Sequence, residues 1–362
     1  MQRKGSITRI ISKTTPLCFL SNGILICYRK GRIIGLVDGK VTLSFPFPVK
    51  GVERWFGWNR LATRLFRWGV RTAIAVDDSI IILCIGNRLY EFNIATGKVS
   101  DGWECGQGIR PLIFTDVKGV AGILDGIYFG GYLRNREKKP VNVYRRVGVD
   151  KWEVVYTFPQ GAINHVHNIL ADHYRNCLWL FTGDFGESAA IWRVTNNFSN
   201  VKRIVSNDQQ YRACVVNVLP EGLLYATDSP YADNSIYLFN PETHERRAIC
   251  PIDGSCIYGC RLKDDFIFSS TVEGDGRKMN RWEFLFTRKR GAGIKDNFVH
   301  LYTGNLIDGF KEIYREEKDC FPLYTFQFGV FRFPSGRSLS DTVYFQPVAT
   351  KKYDNDLLSI HL

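Results

Sequence analysis

The sequence predicts an all-β chain folded as a single seven-bladed β-propeller. Of the 362 residues 14% are aromatic and 33 are glycine, with only two methionines, a composition that favours strands and tight turns. A unit of strand, turn, strand ending in an aromatic, and polar turn recurs along the chain. Helical periodicity is nearly absent, which argues against alternating strand–helix units.

The recurring unit is marked by IIGLVDGK (33–40), LYEFNIATGK (89–98), VNVYRRVGVDKW (141–152), AIWRVTNNFSN (190–200), SIYLFNPETHE (235–245) and WEFLFTRKRGAG (282–293). Tyr144, Trp192, Phe239 and Phe286 follow one another at 48, 47 and 47 residues, room for four short strands per blade. Blade one spans 17–47. Blades two to six start near Arg71, Arg110, His165, Gln210 and Ser255, and blade seven near Tyr324. The last blade has strands near 325–333, 342–348 and 356–362, one short of four. The early segment SITRII (6–11) supplies the fourth and closes the ring, leaving few exposed edges. Blade six is stretched between 272 and 320, so six or eight blades stay open as counts. The chain reads as one domain, 1–362, with a short basic aromatic insertion at 50–70.

Several classes are disfavoured. No GxGxxG follows a strand and no GxxxxGK[ST] occurs, which speaks against a nucleotide-cofactor enzyme. No apolar run is long enough to span a bilayer. The start, MQRKGSITRIISK, has no apolar core of a secretory signal, so a cytoplasmic location is expected. The ten cysteines are scattered singly, with no CxxC, and read as small buried hydrophobes. A formal charge of +12 points to an anionic partner.

Loops entering each innermost strand open on the same face as the loops joining the second and third strands. That face gathers Arg71, Arg110, Asn164-His165-Val166-His167 and Gln209-Gln210-Tyr211-Arg212. It also gathers Tyr132, Asn135, Arg136, Gly183-Asp184, Glu187, Asp228, Tyr231 and Asn234. His165 and His167, two apart on a strand, point to one side. Such a pair can hold a divalent metal or act as base and orienter; the bland alternative is one core histidine beside one strand residue. No complete metal ligand set follows from spacing alone. Arg212 opens an innermost strand, where it either grips an anion in bidentate fashion or pairs internally with Asp184 or Asp228.

The pieces YFGGYLRN (128–135), VNVYRRVGVDKWEVVYTF (141–158), INHVHNILADHYRNCLWLFTGD (163–184), SNDQQYRACVV (206–216) and LLYATDSPYADNSIYLFN (223–240) carry a resemblance. With them, the segment Gly126 to Phe239 resembles the sialidase-like, BNR-type propeller proteins of microbial surface-polysaccharide gene clusters. The resemblance implies a propeller fold and a carbohydrate context. The family pattern often has an acidic residue where Gly131 stands. Polysaccharide lyases that act on uronic acids are also similar in type, several being seven-bladed propellers with axial His, Tyr and Arg.

Two chemistries suit these residues. Glycoside hydrolysis needs two carboxylates flanking the bond, for which Asp184 with Asp228 or Glu187 is the candidate pair. Uronate chemistry needs a cation on the sugar carboxylate and a base for the C5 proton. There, His165 or His167 is the base, Tyr211 the partner with Asp184, and Arg212 the clamp. Gln210, Tyr132, Asp228, Arg110, Arg71 and Asn135 complete the expected substrate contacts. Lyase or epimerase action on an acidic polysaccharide ranks first, a sialidase-like hydrolase second. A non-catalytic glycan- or protein-binding propeller is the alternative from another class.

Residues 54–71, RWFGWNRLATRLFRWGVR, contain no acid. As a helix they place Trp55, Trp58, Leu61, Leu65 and Trp68 on one side. Arg60, Arg64, Arg67 and Arg71 fall mostly on the other. An anionic membrane surface on the inner face is the expected partner of such a helix. The ordinary alternative packs the tryptophan side on the propeller. Nucleic acid ranks last, since no binding module accompanies the stretch.

Overall fold

Seven four-stranded antiparallel sheets surround one axis. The computed structural model describes residues 6–48, 55, 57, 59–106, 108–277 and 279–362. The chain opens with β1 (Ile7–Ile11) and then builds blade one from β2 (Thr15–Phe19), β3 (Leu25–Arg29), β4 (Arg32–Val37) and β5 (Lys40–Pro46). Blade two holds β6 (Val70–Ala75), β7 (Ile80–Ile85), β8 (Arg88–Asn93) and β9 (Trp103–Glu104). Blade three holds β10 (Thr115–Val117), β11 (Gly126–Gly130), β12 (Val141–Gly148) and β13 (Lys151–Phe158). Blade four holds β14 (His165–Asp172), β15 (Cys177–Gly183), β16 (Ala190–Thr195) and β17 (Asn200–Ser206). Blade five holds β18 (Ala213–Leu219), β19 (Gly222–Thr227), β20 (Asn234–Phe239) and β21 (Arg246–Ile252). Blade six holds β22 (Tyr258–Arg261), β23 (Phe266–Ser269), β24 (Phe298–Asn305) and β25 (Gly309–Glu317). Blade seven holds β26 (Val330–Arg332), β27 (Thr342–Val348) and β28 (Leu357–His361), and β1 pairs with β28 as its outer strand. The register Ile7↔Ile360, Thr8↔Ser359 closes the ring. Seven blades and N-terminal closure therefore hold.

Stacked sheets bury both faces of their middle strands, so these strands read as continuous apolar runs rather than alternations. Every residue of β15, CLWLFTG, is buried. Trp179, Phe181 and Ile191 pack against Val216, Tyr225 and Phe239 of the next blade. Val117, Tyr128 and Phe158 pack in the same way against Ile169, Leu178 and Val194. Seven of the ten cysteines are buried, Cys250 and Cys260 are half-buried and Cys320 is exposed, and all ten thiols are free.

Two expectations need correction. The marker 282–293 is not a strand: Arg281–Phe286 forms helix α2, inside the connection from β23 to β24. Asn280 caps it, accepting from the Glu283 N–H, while Glu283 bonds back to the Asn280 backbone. Phe286, expected as a buried blade aromatic, is 63% exposed, and Tyr302 on β24 fills the inner place. The 48–47–47 rhythm thus ended in a coincidence.

The basic insertion is also turned around. Among the described residues helix α1 covers only Arg60–Phe66, with the Asn59 side chain accepting from the N–H groups of Leu61 and Ala62. Arg64 is fully buried. It binds Asp319, Asp354 (3.2 Å) and the Phe326 carbonyl (2.9 Å). Leu61, Leu65 and Phe66 are instead exposed, as is Trp55. Two long-range acids outweighed the apolar pattern, because a guanidinium that finds two carboxylates can be buried. Arg71 lies beyond the helix, in β6. Trp58 and Arg54 lie outside the described residues. No helix is long and apolar enough to cross a membrane among the described residues.

Candidate functional site

Bulges in the innermost strands shape the axis. In β2, β6, β14 and β18 the pairing slips by one residue, at Leu17, Arg71, His167 and Cys214. A bulge re-aims the extra side chain, here at equivalent places of four blades. At β14 it brings the rings of His165 and His167 together, with centroids 4.9 Å apart. Gly183, paired with His165, makes room: a Cβ there would stand 2.3 Å from the His167 ring.

His165 Nδ1 lies 2.9 Å from the Leu133 carbonyl oxygen, which can only accept. Nδ1 therefore carries a proton, and whenever the ring is neutral Nε2 is its lone pair. That Nε2 faces His167 Nε2 at 2.9 Å, so His167 donates through Nε2 and its Nδ1 is left bare. His167 Nδ1 is indeed buried without a hydrogen-bond partner. Burial lowers the pKa of His167 and favours this neutral form.

Asp184 follows β15, its own N–H donating to Asn164 Oδ1 at 2.9 Å. Its Oδ1 lies 3.3 Å from His165 Nε2, 3.5 Å from His167 Nε2 and 3.1 Å from Arg212 Nη2. Burial would raise the Asp184 carboxyl, but Arg212 and the imidazoles outweigh it and hold it well below the usual carboxylate range. Arg212 also reaches Asp228 Oδ2 through Nε at 3.3 Å. The internal ion pair is thus what forms: Arg212 is spanned between two carboxylates. Asp228 is 2% exposed, takes a bond from Cys214 Sγ at 3.3 Å, and leaves Oδ1 without a partner.

A mouth cavity of about 290 Å³ opens above this cluster. Arg110, Tyr132, Arg134, Arg136, Asn135, His165, Asp184, Arg212, Tyr231, Glu273 and Arg277 are among its walls. Tyr132 lies against His165, with ring centroids 4.4 Å apart. Asn135 is at the wall, but its side chain is spent on the Lys139 backbone, at 2.8 Å in both directions. Tyr211 is not in the cavity. It packs on Phe239 and under Arg246, because Gln209–Tyr211 forms a 3-10 turn that swings its ring into blade five. Gln210 is likewise absent from the cavity walls, its amide donating to the Asp233 carbonyl. Arg71 lies lower, in a separate axial cavity. Glu187 is exposed and pairs with Arg203.

Glu273 was not expected from the sequence. It enters from the long blade-six connection, buried beside Ser255 and Thr271. Burial and the nearby Asp228 push its pKa up to about 8. The stretch STVEGDG offered small polar residues but no spacing that tied it to blades four and five.

His165, His167 and Asp184 offer three ligand atoms that could jointly hold a metal ion, and His167, Cys214 and Asp228 offer a second such set. The chemistry available is therefore proton transfer at His165 or cation binding by the first trio.

No protein-family model and no curated protein matches the chain. Solved structures match the fold. The chain aligns over its whole length with a chain of the mitotic checkpoint complex at 10% identity and TM-score 0.54, covering 94% of that chain. Against the β-propeller domain of Myceliophteria thermophila Cps50 (Swd1) the values are 8% identity, TM-score 0.57, and 99% and 98% coverage. The extracellular domain of a hybrid two-component system from B. thetaiotaomicron matches 99% of the chain at 10% identity and TM-score 0.55, with 40% of that protein covered. At such identities these matches speak for the propeller alone.

Proposed function

We propose that the mouth cavity is an active site for acidic saccharides, working by proton transfer at C5 of a uronate unit. The observation that carries this reading is the poise of His165. Its Nδ1–H is tied to the Leu133 carbonyl, which leaves as its basic atom Nε2, 2.9 Å from His167 Nε2 and 3.3 Å from Asp184 Oδ1, at the wall of a pocket rich in guanidinium groups. Arg134, Arg136 or Arg277 takes the sugar carboxylate, since Arg212 is already occupied. Neutralising that carboxylate stabilises the carbanion-like state. His165 removes the proton, and Glu273, protonated below about pH 8, returns one from another wall. Return to the opposite face gives an epimer; loss of the leaving oxygen gives an unsaturated product. The +12 charge and the resemblance to sialidase-like polysaccharide-cluster propellers support a polyanionic glycan as partner.

The test is mass spectrometry of uronate polymers incubated with the protein in heavy water. Deuterium uptake without other change means epimerisation, and an unsaturated end means elimination. His165→Gln should slow either by about 10²–10⁴-fold. Gain of water would replace the reading by hydrolysis. An unaltered rate in His165→Gln, or no change in any polymer, ends it.

A second reading, a divalent cation held by His165, His167 and Asp184, is favoured by one geometric fact. Their ligand atoms stand 2.9, 3.3 and 3.5 Å apart, near the roughly 3.3 Å edge of a tetrahedral zinc site. The cation would polarise the sugar carboxylate. Metal content of the purified protein, and activity after chelation, separates the two readings.

An anionic membrane surface remains the proposed second partner. Two helices flank the segment 323–327 on the mouth side, α1 through Gln327 Nε2 on the Arg64 carbonyl and α2 through Thr325 Oγ1 on the Leu285 carbonyl. α1 turns Phe66 outwards and α2 turns Trp282 and Phe286 outwards, and Trp55, which precedes α1, is exposed as well. Arg281, Arg288 and Lys289 are exposed alongside.

A further inference from the structure

Beside the mouth, three arginines reach the axis without a carboxylate partner among the described residues. Arg71 stands at the β6 bulge and Arg332 at the end of β26; both line an axial cavity of about 260 Å³. Arg110 precedes blade three, its backbone paired with Tyr132 and its guanidinium 5.6 Å from the Tyr132 ring centre. Arg67, at the C-cap of α1, adds a fourth charge at the rim, with Nη2 on the Tyr324 carbonyl at 2.9 Å. Among the described residues none of the four makes a salt bridge, whereas Arg64 and Arg212 nearby each have two carboxylates. Nε of Arg71 and Nε of Arg332 are buried with no hydrogen-bond partner. Arg332 has only a 3.5 Å contact from Nη2 to Gln327 Oε1. Burial, then Arg110 and Arg332, pull the pKa of Arg71 down to about 10.

Arg71, Arg110 and Arg332 are half-buried and Arg67 is exposed at the rim; a guanidinium partly withdrawn from water without a partner loses hydration without return. Here the missing partner must answer three or four positive charges from several directions. A carboxylate offers one charge and two oxygens. A phosphoryl group offers up to two charges and three terminal oxygens, and a diphosphate more, matched to converging guanidinium forks.

We propose that Arg71, Arg110 and Arg332, with Arg67 at the rim, form a binding site for a phosphate- or diphosphate-bearing ligand. The Tyr132 ring separates this site from His165, being in contact with both Arg110 and the imidazole. A sugar esterified to the bound group would therefore reach the mouth cavity. The site stands without the proton-transfer reading, since binding needs no turnover.

The experiment is titration calorimetry and thermal melting of the full chain with pyrophosphate, inorganic phosphate and glucuronate. Pyrophosphate should bind, weaken steeply with salt, and raise Tm; glucuronate should not compete for the same heat. Arg71→Met and Arg332→Met should each weaken pyrophosphate at least tenfold. Without ligand, each should also melt no lower than the wild type, because it removes like-charge repulsion. A variant that melts lower and binds normally would make the arginines structural and overturn the site. So would the absence of any pyrophosphate heat or Tm shift. A soluble nucleoside-diphosphate sugar and vesicles carrying phosphatidic acid form two further arms. Response in either supports the site and tells a free phosphate ester from a lipid headgroup.

Discussion

At the level of single residues the centre is a set of charges that hold one another. Asp184 holds Arg212 and lies 3.3 and 3.5 Å from the Nε2 atoms of His165 and His167, and Arg212 in turn ties Asp228. Glu273 stands just outside this set, so its carboxyl keeps its proton up to about pH 8 when folded, against an ordinary 4.5. Between those values the unfolded chain has lost that proton and the folded chain has not. The folded state binds more protons there, so this residue makes stability fall as pH rises from about 4.5 to about 8. Glu273→Gln abolishes the effect. Denaturant melts should show the variant equal to wild type near pH 4.5 and about 2–4 kcal/mol more stable near pH 8. A pH-independent difference would mean that Glu273 does not titrate in this window. The pattern HxH was legible in the sequence; the proton on His165 Nδ1 was not, because it depends on the carbonyl of Leu133 in the preceding blade.

At the level of elements, bulges and helix orientation decided what pattern could not. HxH on a regular strand suggests two parallel side chains, and the rings do meet, but through a bulge at His167. Tyr211 and Arg212 are neighbours in sequence, yet a 3-10 turn sends the tyrosine into blade five and leaves the arginine on the axis. Helix α1 shows the same effect. Its amphipathic pattern was visible, but it docks by its arginine side because Asp319 and Asp354 await Arg64. Breaking a buried ion pair by removing one partner costs about 3–5 kcal/mol. Arg64→Ala should lose that much in urea melts, and an Arg64→Ala, Asp354→Ala double variant should lose less than the sum. Additive losses would show that the pair is not coupled.

At the scale of the whole molecule, the ring places distant segments on one face. The mouth cavity, α1 and α2 open together, although they come from blades three to six and the blade one–two connection. The exposed Leu61, Leu65 and Phe66 of α1, Trp55 before it, and Trp282 and Phe286 of α2 give that face an apolar rim among basic residues. The protein should float with vesicles containing anionic lipid, and Trp282→Ser, Phe286→Ser and Leu65→Ser together should release it. Equal flotation on neutral vesicles, or no release, would remove the membrane from the account.

The sequence by itself determined the propeller. Strand-and-turn patterning is local, and the orphan segments 6–11 and 356–362 show the closure once the blades are laid out. It also determined that histidines, acids and arginines of blades two to five face one axis, since topology alone brings them there. What only the tertiary structure decided is which of these charges are spent. Arg212 and Arg64 are paired with acids, while among the described residues Arg71, Arg110 and Arg332 are not. Neutralisation falls off within a few ångströms and depends on the direction of each fork, and neither quantity is written along the chain.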